Sequence, residues 1–159
     1  MTSPSSTTDV WHIGSTPLHS RFLLGTAGYP SPDVLRQAIE ASGSQVLTLG
    51  LKRTLAAPGG GDNGFVQIIR DTAQAHGAHL LPNTAGCRSA QEAITLAHMA
   101  RELLGTHWIK LEVVGDEQTL QPDPFELVAA AAQLIRDGFE VLPYCTDDLV
   151  SARRLVDVG

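Results

Sequence analysis

From Leu23 onward the chain alternates short apolar runs with amphipathic helical stretches, and this alternation restricts the fold more than any other feature. The apolar runs centre roughly every 25 to 32 residues, the length of one strand–loop–helix unit. Leu23 to Gly25, Val46 to Leu51, Leu80-Leu81, His107 to Val113 and Glu140 to Tyr144 read as five strands. Each helical stretch between them carries its own start and stop. Ser31 before Pro32 is an N-cap, and Gly43 sits where a left-handed C-terminal cap belongs. Asn63 and Gly77 bound the second helix. The third opens on Ser89 and Glu92 in capping-box spacing, places Ala93, Leu96, Ala97, Ala100, Leu103 and Leu104 on one stripe, and ends at Gly105. Asp123-Pro124 with Glu126 opens the fourth, which Gly138 stops. A fifth begins near Thr146 or Asp147 and runs to about Val158, with Asp147 and Asp148 as its caps. Strands separated by helices are parallel, so the class is α/β.

Ahead of the repeat, residues 1–9 are expected to form a disordered tail. Val10–Ile13 and Leu18–Leu24 flank the turn residues Gly14-Ser15-Thr16-Pro17, which suggests a hairpin. The remainder, 10–159, is read as one domain. A net charge of −6 with no lysine or arginine cluster argues against nucleic acid and anionic membranes as partners. Cys87 and Cys145 form no CxxC pair and read as inert thiols in a reducing, cytoplasmic setting. The start has neither the basic nor the apolar region of a signal peptide, and the longest apolar run, near Leu127 to Ile135, is broken by Gln133. The histidines show no metal spacing, Gly59-Gly60-Gly61 lacks the spacing of a phosphate fingerprint, and no cofactor is expected.

The run His107-Trp108-Ile109-Lys110-Leu111-Glu112-Val113 carries the chemistry. With a two-residue period, Ile109, Leu111 and Val113 share an apolar face for helices, and Trp108, Lys110 and Glu112 share the other. A charge is costly to bury unless paired or used, and an amine held away from water favours the neutral form that attacks carbonyls. The plainer alternative is a strand with one wet face, on which the two charges are a solvated pair. Two architectures accommodate five βα units: an open doubly wound sheet, or part of a (β/α)8 barrel. Polar residues at nearly every strand end favour the barrel, whose mouth collects them: Lys52 and Arg53, Asn83, Lys110 and Glu112, then Tyr144, Asp147 and Asp148. Asn83 reads either as a turn former or as a substrate contact, and Lys52 and Arg53 either bind phosphate or face water.

Four ordered motifs, Leu81-Pro82-Asn83-Thr84-Ala85-Gly86, Trp108 to Asp116, Leu120-Gln121-Pro122-Asp123-Pro124 and Gly138 to Tyr144, closely resemble bacterial thiazole synthases (ThiG) of thiamin biosynthesis. Leu47 to Arg53 looks like that family's second strand, and the resemblance covers about residues 18–159. It implies a (β/α)8 TIM-barrel enzyme, a sulfur-incorporating transferase that forms thiazole phosphate. On the resemblance, Lys110 forms a Schiff base with 1-deoxy-D-xylulose 5-phosphate, and Glu112 shuttles protons beside it. Dehydroglycine (2-iminoacetate) and the thiocarboxylate of a ubiquitin-like sulfur-carrier protein supply the remaining atoms. Asn83, Lys52, Arg53 and Tyr144 are the accompanying substrate-binding candidates.

Two departures from the family pattern stand out. Gly25-Thr26-Ala27-Gly28 lacks the lysine of the family's GTGK-type loop. The family also runs on through three further βα units with glycine-rich phosphate loops and another aspartate, whereas only the first five units are read here. Five of eight strands leave two open sheet edges, so a gene fragment or a self-associating half-barrel is expected, with homo-oligomers as its form. Two other function classes share these residues: a different Schiff-base lyase or aldolase acting on a sugar phosphate, and a non-catalytic barrel fragment.

Overall fold

Each apolar run pairs with the next, and each glycine-terminated stretch forms a helix, in a computed structural model that describes residues 9–52 and 63–159. The hairpin is β1 (Trp11–Ile13) and β2 (Thr16–Leu18). The repeat follows as β3 (Leu23–Gly25), α1 (Pro32–Ser42), β4 (Val46–Gly50), α2 (Asn63–His76), β5 (His79–Asn83), α3 (Ala90–Leu104), β6 (Trp108–Leu111), α4 (Pro124–Arg136), β7 (Glu140–Pro143) and α5 (Leu149–Asp157). Caps account for the helix ends. The Ser31 hydroxyl accepts from the Val34 N–H at 3.3 Å, and Ser89 accepts from the Glu92 N–H at 3.2 Å. Asp123 accepts from the N–H groups of Phe125 and Glu126. The fifth helix starts later than its sequence suggests. Asp148, not Asp147, is its cap, accepting from the Ser151 N–H at 2.8 Å, so Leu149 is the first helical residue.

The parallel sheet runs in strict chain order, β3-β4-β5-β6-β7. A doubly wound sheet needs a reversal of order to place helices on both faces, and this sheet has none, which is consistent with part of a (β/α)8 barrel. Here the helices share one face. Leu35 and Ile39 of α1, Val66 and Ile69 of α2, Ala93 and Ala97 of α3, Leu127 and Leu134 of α4, and Leu155 of α5 pack in one cluster with Leu47, Leu80, Ile109 and Leu111 of the strands. The sheet is open, with β3 and β7 as its edges. Among the described residues no helix is long and apolar enough to cross a membrane.

The inner face has its own small core. The hairpin lies across the N-terminal ends of the strands, where Ile13 and Leu18 meet Val46, Leu81 and Trp108, with Trp11 and Leu142 against them. Its turn is tighter than expected. Thr16 and Pro17 lie in β2, and the bend is left to Gly14-Ser15. A proline is tolerated there because a two-stranded ribbon is edge on both sides. Gly14 has φ +54°, and a side chain on it would meet the Glu140 carboxylate of β7. The left-handed backbone favours glycine at that turn, and any side chain there would push the flexible Glu140 carboxylate aside.

Candidate functional site

Strand β6 builds the centre of the site. Ile109, Leu111 and Val113 face the helices with no solvent exposure, as the two-residue period predicts. On the opposite face Trp108 is closed under the hairpin, its ring stacked on His79 at 4.9 Å. One and two steps further along, Lys110 and Glu112 emerge above that floor. The Lys110 Nζ lies 3.3 Å from the Glu112 Oε1, an ion pair with the lysine side chain 41% and the glutamate side chain 16% exposed. The amine is therefore neither fully sheltered nor fully solvated. Lys110 occupies the inner face and not the helix layer, but the five-stranded sheet leaves that face open above the hairpin.

Across the sheet, Gly50, Asn83, Lys110 and Leu142 lie in one register row. The glycine leaves the space beside Asn83 uncluttered on the β4 side. Asn83 closes a turn, its Oδ1 accepting from the Ala85 N–H at 3.2 Å, and it stands directly beside Lys110. The next residue, Thr84, was not singled out by the sequence, yet it is fully buried. Its backbone N–H donates to the Lys110 carbonyl at 3.2 Å. Its hydroxyl donates to the Glu112 carbonyl at 2.8 Å and accepts from the Glu112 N–H at 2.7 Å. The hydroxyl thus continues the β5–β6 pairing past the point where the strands end.

The rim is tied by charge. Lys52 donates to the Gly86 carbonyl at 2.8 Å and to the Glu92 Oε1 at 2.5 Å. That hydrogen bond to Glu92 is the main cause of a raised lysine pKa, against a lesser opposing effect of burial. The same bond, with a second from the Arg88 N–H, holds the Glu92 carboxyl below its ordinary value. Lys52 accordingly anchors the β5–α3 loop to the start of α3, with its ammonium directed at that loop. Arg53 and Gly59-Gly60-Gly61 lie outside the described residues. Tyr144 follows β7 with its N–H on the Leu111 carbonyl at 2.8 Å and its ring half-exposed. It borders a cavity of about 250 Å³ with Glu112, Arg88, Glu117 and Leu120. Leu120 holds φ +58° in that wall, a conformation costly for a branched side chain. Cys87 is buried and its thiol is pushed up to about 11 by that burial, which disfavours the thiolate. Cys145 is half-buried. Among the described residues no group of three histidine, cysteine or carboxylate side chains is placed to hold a metal.

A family model described as "Thiazole biosynthesis protein ThiG" matches residues 12–159. The chain is 59% identical over 143 residues to a thiazole synthase of Variovorax paradoxus, covering 89% of this chain and 51% of that protein. It is 53% identical over 150 residues to a thiazole synthase of Coxiella burnetii, covering 94% of this chain and 56% of that protein. The chain thus spans about half the length of the curated relatives it matches. Among solved structures it is similar to the Amycolatopsis orientalis BexX/CysO complex, with a TM-score of 0.72 and 28% identity over 93% of this chain and 58% of that one.

Proposed function

The chain belongs to the ThiG family of thiazole biosynthesis proteins, and from that premise we propose that it carries the imine-forming part of a thiazole synthase. The observation that carries the reading is the Lys110–Glu112 pair, on the inner face and at the C-terminal end of β6. In (β/α)8 enzymes that end of the strands is where chemistry collects. Strict strand order, one helix-covered face and a hairpin floor support reading the five units as part of such a barrel.

In the proposed reaction the Lys110 amine adds to the ketone of 1-deoxy-D-xylulose 5-phosphate and water leaves, giving an imine. The imine draws electrons from the neighbouring carbon. Glu112, 3.3 Å from the nitrogen, can then take and return the proton there. Asn83 beside Lys110 and Tyr144 on the Glu112 cavity are the substrate contacts, and Lys52 and Arg53 are the phosphate-side candidates. Sulfur would enter from a carrier-protein thiocarboxylate and the C–N unit from dehydroglycine. That BexX is similar to this chain and was solved with CysO supports a docked protein partner on this scaffold. The exposed apolar residues beside the sheet edges, Phe22 and Leu23 at β3 and Tyr144 and Leu149 beyond β7, support a homo-oligomer. A cytoplasmic location fits a biosynthetic role and two free thiols.

Borohydride trapping tests the proposal. The chain has two lysines, so a reduced adduct of the ketose phosphate maps to Lys110 or Lys52 without ambiguity. A mass gain on Lys110 is expected, and its absence on folded protein removes the reading. An adduct that never responds to a carrier thiocarboxylate points instead to a sugar-phosphate lyase or aldolase.

A further inference from the structure

We infer that Thr84 is a positioning residue for the Lys110–Glu112 pair, setting the glutamate through its backbone and not through its side chain. The inference rests on the reading that this pair is the reacting centre.

The geometry is specific. Glu112 lies one residue past the end of β6, and Asn83 is the last residue of β5, so regular pairing stops at this level. Thr84 takes over with a single oxygen that both donates to the Glu112 carbonyl and accepts from the Glu112 N–H, at 2.8 and 2.7 Å. Its own N–H fixes the Lys110 carbonyl. A hydroxyl has one proton and two lone pairs, so it can fill both roles together, which an ammonium or a methyl group cannot. The residue is fully buried, so water cannot substitute for the hydroxyl without rearrangement. With both polar groups of its peptide flanks held, the Cα–Cβ direction of Glu112 is set, and with it the distance from carboxylate to amine. A β-branched side chain adds stiffness, because its χ1 is restricted. Thr84 does not touch Nζ or the carboxylate, so its effect on reactivity must pass through Glu112.

The test compares acylation of Lys110 with that of Lys52, the internal standard, by brief labelling of the full chain and mass spectrometry. Glu112→Gln removes the ion-pair partner and should raise the Lys110:Lys52 ratio about twofold to fivefold, the range for one partly exposed pair. Thr84→Val should raise it by a similar factor. Combining the two should give no further rise, whereas independent effects would multiply. Thr84→Ser, which keeps the hydroxyl, should restore the ratio to near that of the unaltered chain. An unchanged ratio in Thr84→Val, a product of the two factors in the double variant, or a serine variant that behaves like valine overturns the inference. If Thr84→Val does not fold, amide exchange of the unaltered chain decides: a protected Glu112 N–H supports the clamp, and exchange at an open-loop rate overturns it. Imine trapping on the unaltered chain stands apart from all of these. Its failure would remove the synthase reading, while the labelling results would still judge Thr84.

Discussion

The two ends of the inner face make a useful contrast. At the N-terminal end of the strands, Trp108, Leu81 and Val46 are sealed under Ile13 and Leu18 of the hairpin. At the other end, two residues along the same strand, Lys110 and Glu112 stand in a half-open, polar setting. The inner face of β6 and its continuation therefore holds both a small core and an open ion pair. The difference is made by what covers each end, since the backbone register is continuous from Trp108 to Leu111. The sealed and the open ends are separated by about two residues of strand, near 7 Å.

The sharpest way to break this contrast is to change one end and watch the other. Lys110→Arg keeps charge and bulk but cannot form the imine, so trapped adduct should fall by roughly a thousandfold or more. Its denaturant midpoint should move little, since exposed substitutions cost within about 0.5 kcal/mol. Trp108→Ala should do the reverse, costing about 3–5 kcal/mol in urea unfolding by emptying the floor. Adduct yield per folded molecule should change far less. If Trp108→Ala left stability intact, the hairpin would not be a core at all.

Smaller changes sharpen the picture. Gly14→Ala places a side chain on the Glu140 carboxylate at positive φ and should cost about 1–2 kcal/mol or more. Glu140→Ala in the same chain should recover part of that loss, measured by thermal melting. At the reactive end, Leu120→Gly relieves the left-handed strain in the cavity wall, and the leucine side chain is largely exposed. A gain of roughly 0.5–1 kcal/mol is expected, seen as a higher melting temperature. The smallest effect is acid loss at the rim. Glu92, held below its ordinary 4.5 by the Lys52 bond, and Asp148, held below 3.8 by the Ser151 bonds, stabilise the fold in their charged forms. Their contribution is complete above those ordinary values and is lost as pH falls through the lowered ones. Because the Lys52–Glu92 pair is exposed, Glu92→Gln should cost no more than about 1 kcal/mol at neutral pH and flatten the acid limb of a stability profile.

Much of this was legible in the sequence because it depends on neighbours along the chain. The caps at Ser31, Ser89 and Asp123 act over three residues, and the two faces of β6 follow from a period of two. What escaped the sequence depends on residues far apart. The Thr84–Glu112 clamp spans 28 residues, and the Lys52–Glu92 bond spans 40. No local pattern marks either, and Thr84 passed as one more polar residue in a strand-end loop. The exposure of Lys110 was open at the level of sequence for a related reason. A strand's own pattern fixes which way a side chain points, but the shelter it finds depends on what stands opposite.

The hairpin formed by the earliest described residues rests its turn against Glu140, near the far end of the repeat. On a ribosome this ribbon emerges before the strand–helix repeat, yet its seat includes Trp108 and Leu142, which are made much later. It must therefore wait, unpaired with its apolar floor, while four strand–helix units are synthesised. The ribbon is thereby set to dock only after that later chain exists, with a long span to close before it does.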